Sequence, residues 1–355
     1  MAIKLKPLDQ QVIVITGATS GIGLATAQAA SKAGARLVLA ARSQADLDTV
    51  AQQLGGKVVT VAADVADPAA VRRIHEAAHA HFGALDTWVN NAGVGMWGKL
   101  EQGKLEDFKR LYETNFWGVV NGSLEAVKHL KKHGGALINL GSVASDVALP
   151  IQGMYSSSKH AIKGFTNALR IELNHEEAPV SVTLIKPAAI NTPFPAHARN
   201  YLAQQPTLPP PVYAPEEVAS AILHAATHPV RDIYVGGGGK MMSTIQKYAP
   251  GTMDWLASKT GAEQQVKPGT QATNPGGSLY EPAAPHVEAH GDYEGHTMKS
   301  YYTRASIHPV VAGVLAAVGL AAGIALVASR SHDGLADSGV PQPNENEPSV
   351  PVTDN

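Results

Sequence analysis

The chain has 355 residues, of which 44% are hydrophobic and 16% are charged, enough apolar material for a large buried core. Thirty acidic and 28 basic residues give a formal net charge of -2, without the basic surplus typical of nucleic-acid binding. There is no cysteine, which excludes disulfides, thiolate nucleophiles and cysteine-ligated zinc.

Short β-branched and apolar segments alternate with longer helical patterns from residue 11 to about residue 235. Because the strand segments are almost continuously apolar, they are typical of parallel strands covered by helices on both faces. The sequence predicts a doubly wound α/β domain of the Rossmann type, with a seven-stranded parallel sheet and strand order 3-2-1-4-5-6-7. The predicted strands are 11–16, 36–41, 57–63, 85–90, 136–142, 180–186 and 232–237. The predicted helices are 21–33, 43–54, 68–82, 101–132, 152–175 and 215–227.

The segment TGATSGIG, residues 16–23, connects the first predicted strand to the first predicted helix. Glycines in such a turn let backbone N–H groups approach a pyrophosphate at the positive end of the helix. The spacing differs from G-x-G-x-x-G, and an ordinary strand-to-helix turn is the alternative, but the strand–turn–helix context is the required one. The predicted cofactor contacts here are Gly17, Thr19, Ser20, Gly21, Ile22 and Gly23.

The next three strand ends carry further candidate cofactor residues. The second ends in LAAR, where an NAD-specific fold usually has a carboxylate, and Arg42 favours the 2′-phosphate of NADP(H) over NAD(H). The alternative is that Arg42 only caps an exposed strand end. Asp64 and Val65 after the third strand are predicted to contact adenine. The fourth strand ends in NNAG, whose small residues let the backbone approach the cofactor; they include Asn91, Ala92 and Gly93.

Tyr155 and Lys159 are four residues apart in a predicted helix and therefore share one face of it. A nearby ammonium favours the phenolate, so we expect the pKa of Tyr155 to be lowered toward neutrality, which suits general acid–base chemistry. A lone Y-x-x-x-K is also compatible with a solvated helix face, so the surrounding motifs must decide.

The segment HEAAH, residues 75–79, matches the zinc-binding pattern H-E-x-x-H. The same helix carries a stripe of core residues at Val71, Ile74, Ala78 and Phe82, which leaves both histidines at its margin. Since no third ligand is evident in the sequence, we interpret the match as accidental and predict no metal site. A zinc hydrolase is the corresponding rival function.

Taken together, the motifs resemble those of the short-chain dehydrogenase/reductase family over about residues 8–240. The resemblance rests on T-G-x-x-x-G-I-G at 16–23, N-N-A-G at 90–93, Asn115, Ser142 and Y-x-x-x-K at Tyr155 and Lys159. It implies that Tyr155 is the acid–base residue and that Lys159 lowers its pKa and binds the nicotinamide ribose. It further implies that Ser142 donates to the substrate oxygen and that Asn115 holds a water linking Lys159 to solvent.

One departure from the family pattern follows the sixth strand, where Ala188 replaces the usual glycine after Pro187. Ile190 and Thr192 remain in position to meet the nicotinamide carboxamide, so Pro187, Ile190 and Thr192 complete the predicted cofactor contacts. The substrate loops are predicted at 93–99, 143–153 and 193–213. Their apolar residues predict a lipophilic carbonyl or alcohol substrate, unless they pack beneath a lid: Met96, Trp97, Leu149, Ile151 and Phe194.

The family resemblance does not account for the C-terminal third of the chain. Residues 1–240 are predicted as the catalytic domain, 241–308 as a mostly irregular Pro/Gly-rich extension and 330–355 as a disordered polar tail. Residues 309–329 are uncharged and long enough to span a membrane, flanked by Arg304 and Arg330. We expect a single-pass anchor, although a docking helix is the alternative. With no signal peptide at the N-terminus, the catalytic domain is expected in the cytoplasm.

The leading hypothesis is an NADP(H)-dependent carbonyl reductase or alcohol dehydrogenase. The alternative is a catalytically idle, membrane-attached sensor that binds NADP, although such a protein needs no proton relay. The family resemblance also implies a homodimer or homotetramer, paired through the long helices at 101–132 and 152–175.

Overall fold

A central parallel sheet organises the part of the chain that the computed structural model describes, residues 3–282 and 287–308. Within these residues seven strands pair in the order β3-β2-β1-β4-β5-β6-β7, every neighbouring pair being parallel. The predicted fold class and strand order are confirmed. The strands are β1 (Val12–Thr16), β2 (Arg36–Ala41), β3 (Val58–Ala62), β4 (Thr87–Asn90), β5 (Gly135–Leu140), β6 (Val180–Pro187) and β7 (Asp232–Val235).

Helices cover both faces of the sheet because successive strand residues point to opposite sides. The helices are α1 (Gly21–Lys32), α2 (Gln44–Leu54), α3 (Pro68–Phe82), α4 (Leu105–Tyr112), α5 (Gly118–His133), α6 (Gly153–His175), α7 (Pro215–Thr227), α8 (Gly237–Tyr248), α9 (Pro250–Thr260) and α10 (Tyr301–Ile307). In β1, Ile13 and Ile15 pack with helices α1, α2 and α7, whereas Val12 and Val14 pack with α3, α5 and α6.

The strand order reverses between β1 and β4, and the carboxyl ends of these two strands border a crevice, as in other open α/β sheets. The Thr16 hydroxyl joins the two ends, accepting hydrogen bonds from the N–H groups of Asn91 at 3.0 Å and Ala92 at 3.1 Å. Two short strand pairs extend the rim of the crevice: Met96–Trp97 with Arg199–Asn200, and Ala189–Ile190 with Val212–Tyr213.

The predicted helix at 101–132 is not one regular helix. A 3-10 turn at Leu100–Gln102 precedes α4, and a π-helical turn at Glu113–Trp117 separates α4 from α5. Asn115 lies inside this π turn. Such turns occur frequently at functional sites, and the periodicity of the sequence does not reveal them because they add a single residue.

The extension, residues 241–308, is more ordered and more integrated than the sequence indicates. Helix α8 crosses the predicted boundary at residue 240, and α9 and α10 also lie in the extension. The rest of the described extension is mostly without regular structure. The described residues up to Ile307 belong to one compact unit. Arg304, expected beside a membrane segment, forms an ion pair with the buried carboxylate of Glu217 in α7.

The membrane prediction concerns residues that the structure does not describe. Among residues 3–282 and 287–308, no helix has both the length and the apolar character needed to cross a membrane. The predicted span at 309–329 and the predicted tail at 330–355 lie outside the described residues.

Candidate active site

A cavity of about 390 Å³ opens at the carboxyl ends of the central strands. Most residues predicted to contact a cofactor line this cavity. Ser142 of the predicted catalytic set lines it as well, whereas Asn115 and Gly23 are not among its lining residues. The predicted residues that line the cavity are Gly17, Thr19, Ser20, Gly21, Ile22, Arg42, Asp64, Val65, Asn91, Ala92, Gly93, Ser142, Tyr155, Lys159, Pro187, Ile190 and Thr192.

The glycine-rich turn between β1 and α1 depends on the absence of side chains. Gly17 has a φ of +65°, and a Cβ there would lie 2.8 Å from the Cα of Ala92. A Cβ at Gly23 would overlap the carbonyl oxygen of Gly17. The backbone therefore approaches the crevice as closely as a dinucleotide requires, and the start of α1 faces the same space.

The extension reaches this turn directly, which the sequence did not indicate. The Gly21 N–H, predicted as a phosphate donor, donates to the carbonyl oxygen of Glu288 at 2.9 Å. Nearby, the Gly291 N–H donates to the carbonyl oxygen of Asn191 at 3.4 Å. The glycine-rich turn at this end of the cavity is thus joined to a residue about 270 positions later in the chain.

At the end of β2, the extension also holds Arg42. Its guanidinium donates to the carbonyl oxygens of Ser278 at 2.7 Å and Tyr280 at 3.0 Å. Burial lowers the pKa of Arg42, while the carboxylate of Asp64 opposes that shift. Arg42 is therefore fixed at the cavity wall rather than extended into solvent as a simple strand-end cap.

Asp64 has different partners from those expected of an adenine acceptor. Its carboxylate is paired with Arg110 of α4 and accepts the Ala66 N–H at 3.0 Å. Burial alone would raise the pKa of Asp64, but the Ala66 N–H, Arg110 and Arg42 outweigh it and lower the pKa. Asp64 lines the cavity, while its Arg110 partner was not anticipated from the sequence.

The predicted catalytic side chains come from two elements that meet in the cavity. Ser142 follows β5 and begins the 3-10 turn Val143–Ser145, and its oxygen accepts the Ala144 N–H at 3.1 Å. Tyr155 and Lys159 lie one turn apart on α6, with the Lys159 nitrogen 5.7 Å from the centre of the tyrosine ring. A hydrogen bond links Ser142 to Tyr155.

The expected lowering of the Tyr155 pKa is wrong for this structure. Burial raises the pKa of Tyr155 to about 12, and the hydrogen bond to Ser142 lowers it only in part. Burial also lowers the pKa of Lys159 to about 8, and its ammonium donates to the Leu140 carbonyl at 2.9 Å. The physical reason is that the shared helix face points into the interior, where phenolate and ammonium are both penalised.

Asn115 has its amide tied to the protein interior. The side-chain oxygen accepts the Val94 N–H at 2.8 Å, and the side-chain nitrogen donates to the Val94 carbonyl at 3.0 Å. The same nitrogen also donates to Ser158 at 3.2 Å. Asn115 therefore connects the loop after β4 to the helix that carries Tyr155 and Lys159, as a brace behind the cavity wall.

Asp146 was not singled out in the sequence, yet it anchors the turn that carries Ser142. Its carboxylate accepts from Lys163 at 2.6 Å, from the Tyr234 hydroxyl at 2.7 Å and from Lys186 at 3.2 Å. Burial would raise the pKa of Asp146, but these partners lower it to about 2. A carboxylate four residues after the motif serine was the available signal, although its partners are brought together only by the sheet.

The other side of the cavity is apolar and aromatic. Phe194 packs 5.5 Å from the Tyr155 ring and 5.8 Å from the Trp97 ring, measured between ring centres. Trp97, Leu149 and Phe194 line the cavity as predicted, whereas Met96 and Ile151 line a small neighbouring pocket. Additional wall residues come from the loop at 208–211 and from the extension: Met242, Gln264, Gln265, Ser278 and Pro282.

The substitution of Ala188 for the family glycine is accommodated by glycines that face it. A Cβ at Gly236 would lie 2.9 Å from the Ala188 methyl group, and one at Gly239 would lie 3.0 Å from it. The Ala188 N–H donates to the Val235 carbonyl at 2.8 Å, so the residue still follows β6 in register with β7.

Comparison with known proteins identifies the family. The sequence profile described as short chain dehydrogenase matches residues 11–202. An uncharacterized oxidoreductase of Bacillus subtilis, YxnA, is 43% identical over 322 residues, which are 89% of this chain and 90% of that protein. A putative oxidoreductase of Mycobacterium tuberculosis, SadH, is 38% identical over 205 residues, 55% of this chain and 71% of that protein.

Solved structures agree with this assignment. A short chain dehydrogenase/reductase from Burkholderia phymatum in complex with NAD has a TM-score of 0.64 and 26% identity, covering 70% of this chain and 96% of that chain. An alcohol dehydrogenase from Thermococcus sibiricus complexed with 5-hydroxy-NADP has a TM-score of 0.56 and 29% identity, covering 63% of this chain and 95% of that chain. The chain belongs to the short-chain dehydrogenase/reductase family and is an oxidoreductase with a nicotinamide-cofactor fold.

Proposed function

We propose that this protein interconverts a carbonyl and an alcohol, with Tyr155 as the general acid–base residue and NADP(H) as the cofactor. The observation that carries the proposal is that Ser142, Tyr155 and Lys159 share one wall of the cavity, next to the glycine-rich turn. The cofactor, when bound, supplies or accepts the hydride. The protein then has to position the substrate oxygen and to move one proton.

The proton chemistry follows from the environment of Tyr155. With a pKa of about 12, its hydroxyl is protonated at neutral pH and is ready to donate to the oxygen of a carbonyl substrate during reduction. In the oxidative direction Tyr155 has to lose its own proton before it can accept the alcohol proton, which its raised pKa disfavours at neutral pH in the structure without cofactor. Ser142 donates a hydrogen bond to the same substrate oxygen as negative charge develops on it.

A lipophilic substrate is favoured by the apolar residues that line the same cavity. Trp97, Leu149 and Phe194 provide apolar surface next to Tyr155, and Met242 adds to it from the extension. Sites of this composition bind mainly by burying apolar area, while a few polar groups fix the orientation. The proposed class is therefore a carbonyl or alcohol on an apolar skeleton.

The decisive experiment compares the native enzyme with Tyr155→Phe across aldehydes, ketones and quinones, using NADPH and NADH. We expect turnover with at least one carbonyl class and a loss of about 10²- to 10⁴-fold in kcat for the variant. Ser157→Ala is the matched control on the same helix, since its hydroxyl donates to the Met154 carbonyl in its own turn. Cofactor binding without any turnover by the native enzyme would favour the sensor alternative.

NADP(H) preference is proposed on the position of Arg42, whose guanidinium borders the cavity beside Ser43 at the end of β2. We expect Arg42→Gln to lower kcat/KM for NADPH by about 10- to 100-fold, the range of one lost charge-assisted contact, and to leave NADH nearly unchanged. Thermal melts of the native and variant proteins check that the loss of activity does not come from destabilisation when the contacts of Arg42 to Ser278 and Tyr280 are removed. An equal loss with both cofactors, or a native enzyme indifferent between them, contradicts the proposal.

A homodimer or homotetramer is proposed on the outer face of α5 and α6. Three large apolar side chains are exposed on these helices or in the π turn just before α5: Trp117 at 52%, Leu124 at 49% and Ile171 at 67%. Contiguous exposed apolar surface commonly marks interfaces. Light scattering on the full chain is the measurement, and a monomer at micromolar concentration would contradict the proposal.

A further inference from the structure

The H-E-x-x-H segment of α3 has the third histidine that the sequence did not reveal. His75 and His79 face His129 of α5, 50 residues later along the chain from His79. One ring nitrogen from each of the three lies within 4.8 Å of the others. A third candidate ligand is therefore present, and the sequence did not reveal it because it comes from a neighbouring helix on the same sheet face.

The three imidazoles lie close to one another. The rings of His75 and His79 have centres 4.8 Å apart, those of His79 and His129 are 4.5 Å apart, and both pairs meet edge to face. The Nε2 of His79 and the Nδ1 of His129 are 3.0 Å apart and share a hydrogen bond. Nitrogens bound to one tetrahedral zinc ion at about 2.0–2.1 Å are separated by about 3.3 Å, so this pair is already near the required spacing, whereas the three nitrogens together lie within 4.8 Å and must draw closer around an ion.

His75 is held in an orientation that suits a metal ligand. Its Nδ1 is 2.8 Å from a carboxylate oxygen of Glu125 on α5, which acts as the hydrogen-bond acceptor and so leaves the lone pair on Nε2. That Nε2 is buried and has no hydrogen-bond partner. A carboxylate behind a histidine is the usual partner of a metal-ligating imidazole, because it fixes both the ring orientation and the tautomer.

We propose that His75, His79 and His129 form a binding site for Zn²⁺ or a similar divalent transition-metal ion, oriented by Glu125. Three neutral imidazoles suit such ions, and water completes the coordination. The site lies apart from the catalytic cavity, since α3 and α5 deliver these residues toward the amino ends of β4 and β5. Its role is to link α3 to α5, and Glu76 of the motif, which is exposed, has no part in it.

The test uses the full chain without an affinity tag, stripped with chelator and then titrated with Zn²⁺ and with Co²⁺. We expect about one equivalent per chain, a visible Co²⁺ absorption band of tetrahedral type, and a rise in the thermal midpoint on binding. His129→Ala should weaken Zn²⁺ binding at least tenfold. Glu125→Gln should weaken it by about 10- to 100-fold, as expected for a positioning carboxylate.

The matched control is His81→Ala, which removes an exposed histidine two residues from His79 on the same helix. It should bind Zn²⁺ within twofold of the native chain. Circular dichroism without metal shows whether each variant folds, and His79→Gln provides a second ligand deletion if His129→Ala does not. Failure of the native chain to bind Zn²⁺ at micromolar concentration, or equal binding by both ligand deletions and the native chain, overturns the proposal.

Discussion

Residues 11–202, which match the family profile, and the extension at 241–308 contribute to the same cavity in different ways. The first region provides Ser142, Tyr155, Lys159 and the glycine-rich turn. The extension adds wall residues such as Met242 and Gln265, and its backbone carbonyls at Ser278, Tyr280 and Glu288 accept from Arg42 and Gly21. The first region carries the proposed chemistry in its side chains, whereas the extension holds residues of that region in place largely through its backbone.

This difference explains why only one of the two regions has an interpretable sequence. Side-chain chemistry restricts residue type at fixed spacings, so it leaves motifs. A backbone carbonyl is available from every residue. The extension can therefore border the phosphate end of the site while its sequence shows only Pro- and Gly-rich irregularity. The alignment with the Bacillus subtilis relative covers 89% of this chain, too much to leave out the whole extension, whereas the family match ends at residue 202.

The strongest way to break the connection between the two regions is Asp107→Asn. This buried carboxylate on α4 accepts from Arg199 at 2.7 Å, from the extension's Tyr280 hydroxyl at 2.8 Å and from the Tyr201 hydroxyl. An amide offers one oxygen where three donors converge, so we expect a loss of about 3 kcal/mol in the free energy of unfolding. Urea unfolding measures the loss, and faster proteolysis within residues 261–300 should accompany it.

Tyr280→Phe removes only one of the hydrogen bonds to Asp107, the one donated by the hydroxyl of this half-exposed tyrosine. It should cost about 1 kcal/mol and increase proteolysis in the same segment. If neither variant alters cleavage of the extension, Asp107 does not connect the two regions.

A second change, Asp146→Asn, tests a network within the catalytic region. The folded pKa of about 2 lies below the ordinary value of 3.8, so the charged carboxylate stabilises the fold at pH values above 3.8. That stabilisation, about 2 kcal/mol, is lost as the pH falls from about 4 to about 2. The thermal midpoints of the native protein and of Asp146→Asn should therefore differ at pH 7 and converge near pH 2. A constant difference across that range would show that ionisation of Asp146 is not the cause.

The last variant is expected to raise the free energy of unfolding, whereas the preceding variants lower it. Burial lowers the pKa of Lys159 from 10.5 to about 8, so keeping its charge in the folded state costs free energy at neutral pH. We expect Lys159→Met to raise the free energy of unfolding by about 1 kcal/mol, after loss of the hydrogen bond to Leu140, while lowering activity.

The sign of the pH dependence makes this prediction specific. A lysine with a lowered folded pKa makes stability rise with pH between about 8 and 10.5, because the unfolded chain binds more protons there. The advantage of the methionine variant should shrink across this range and vanish above it. A variant less stable than the native chain at pH 7 would contradict the prediction.

The sequence by itself determined the sheet, its strand order and part of the set of residues that line the cavity. Apolar strand segments alternating with helices leave few alternatives to a doubly wound sheet, whose crossover handedness and switch point place the glycine-rich turn beside NNAG. Local periodicity also placed Tyr155 and Lys159 on one face of α6.

Only the tertiary structure decided how deeply this face of α6 is buried and which residues from distant parts of the chain contact the site. Spacing along a helix does not specify the dielectric around it, so burial reversed the expected shift in the pKa of Tyr155. The partners of Asp64, Arg42 and Gly21 come from α4 or from the extension, which only folding brings near them. His129 likewise joins His75 and His79 because α3 and α5 pack side by side, a contact between residues 50 positions apart that no local pattern encodes.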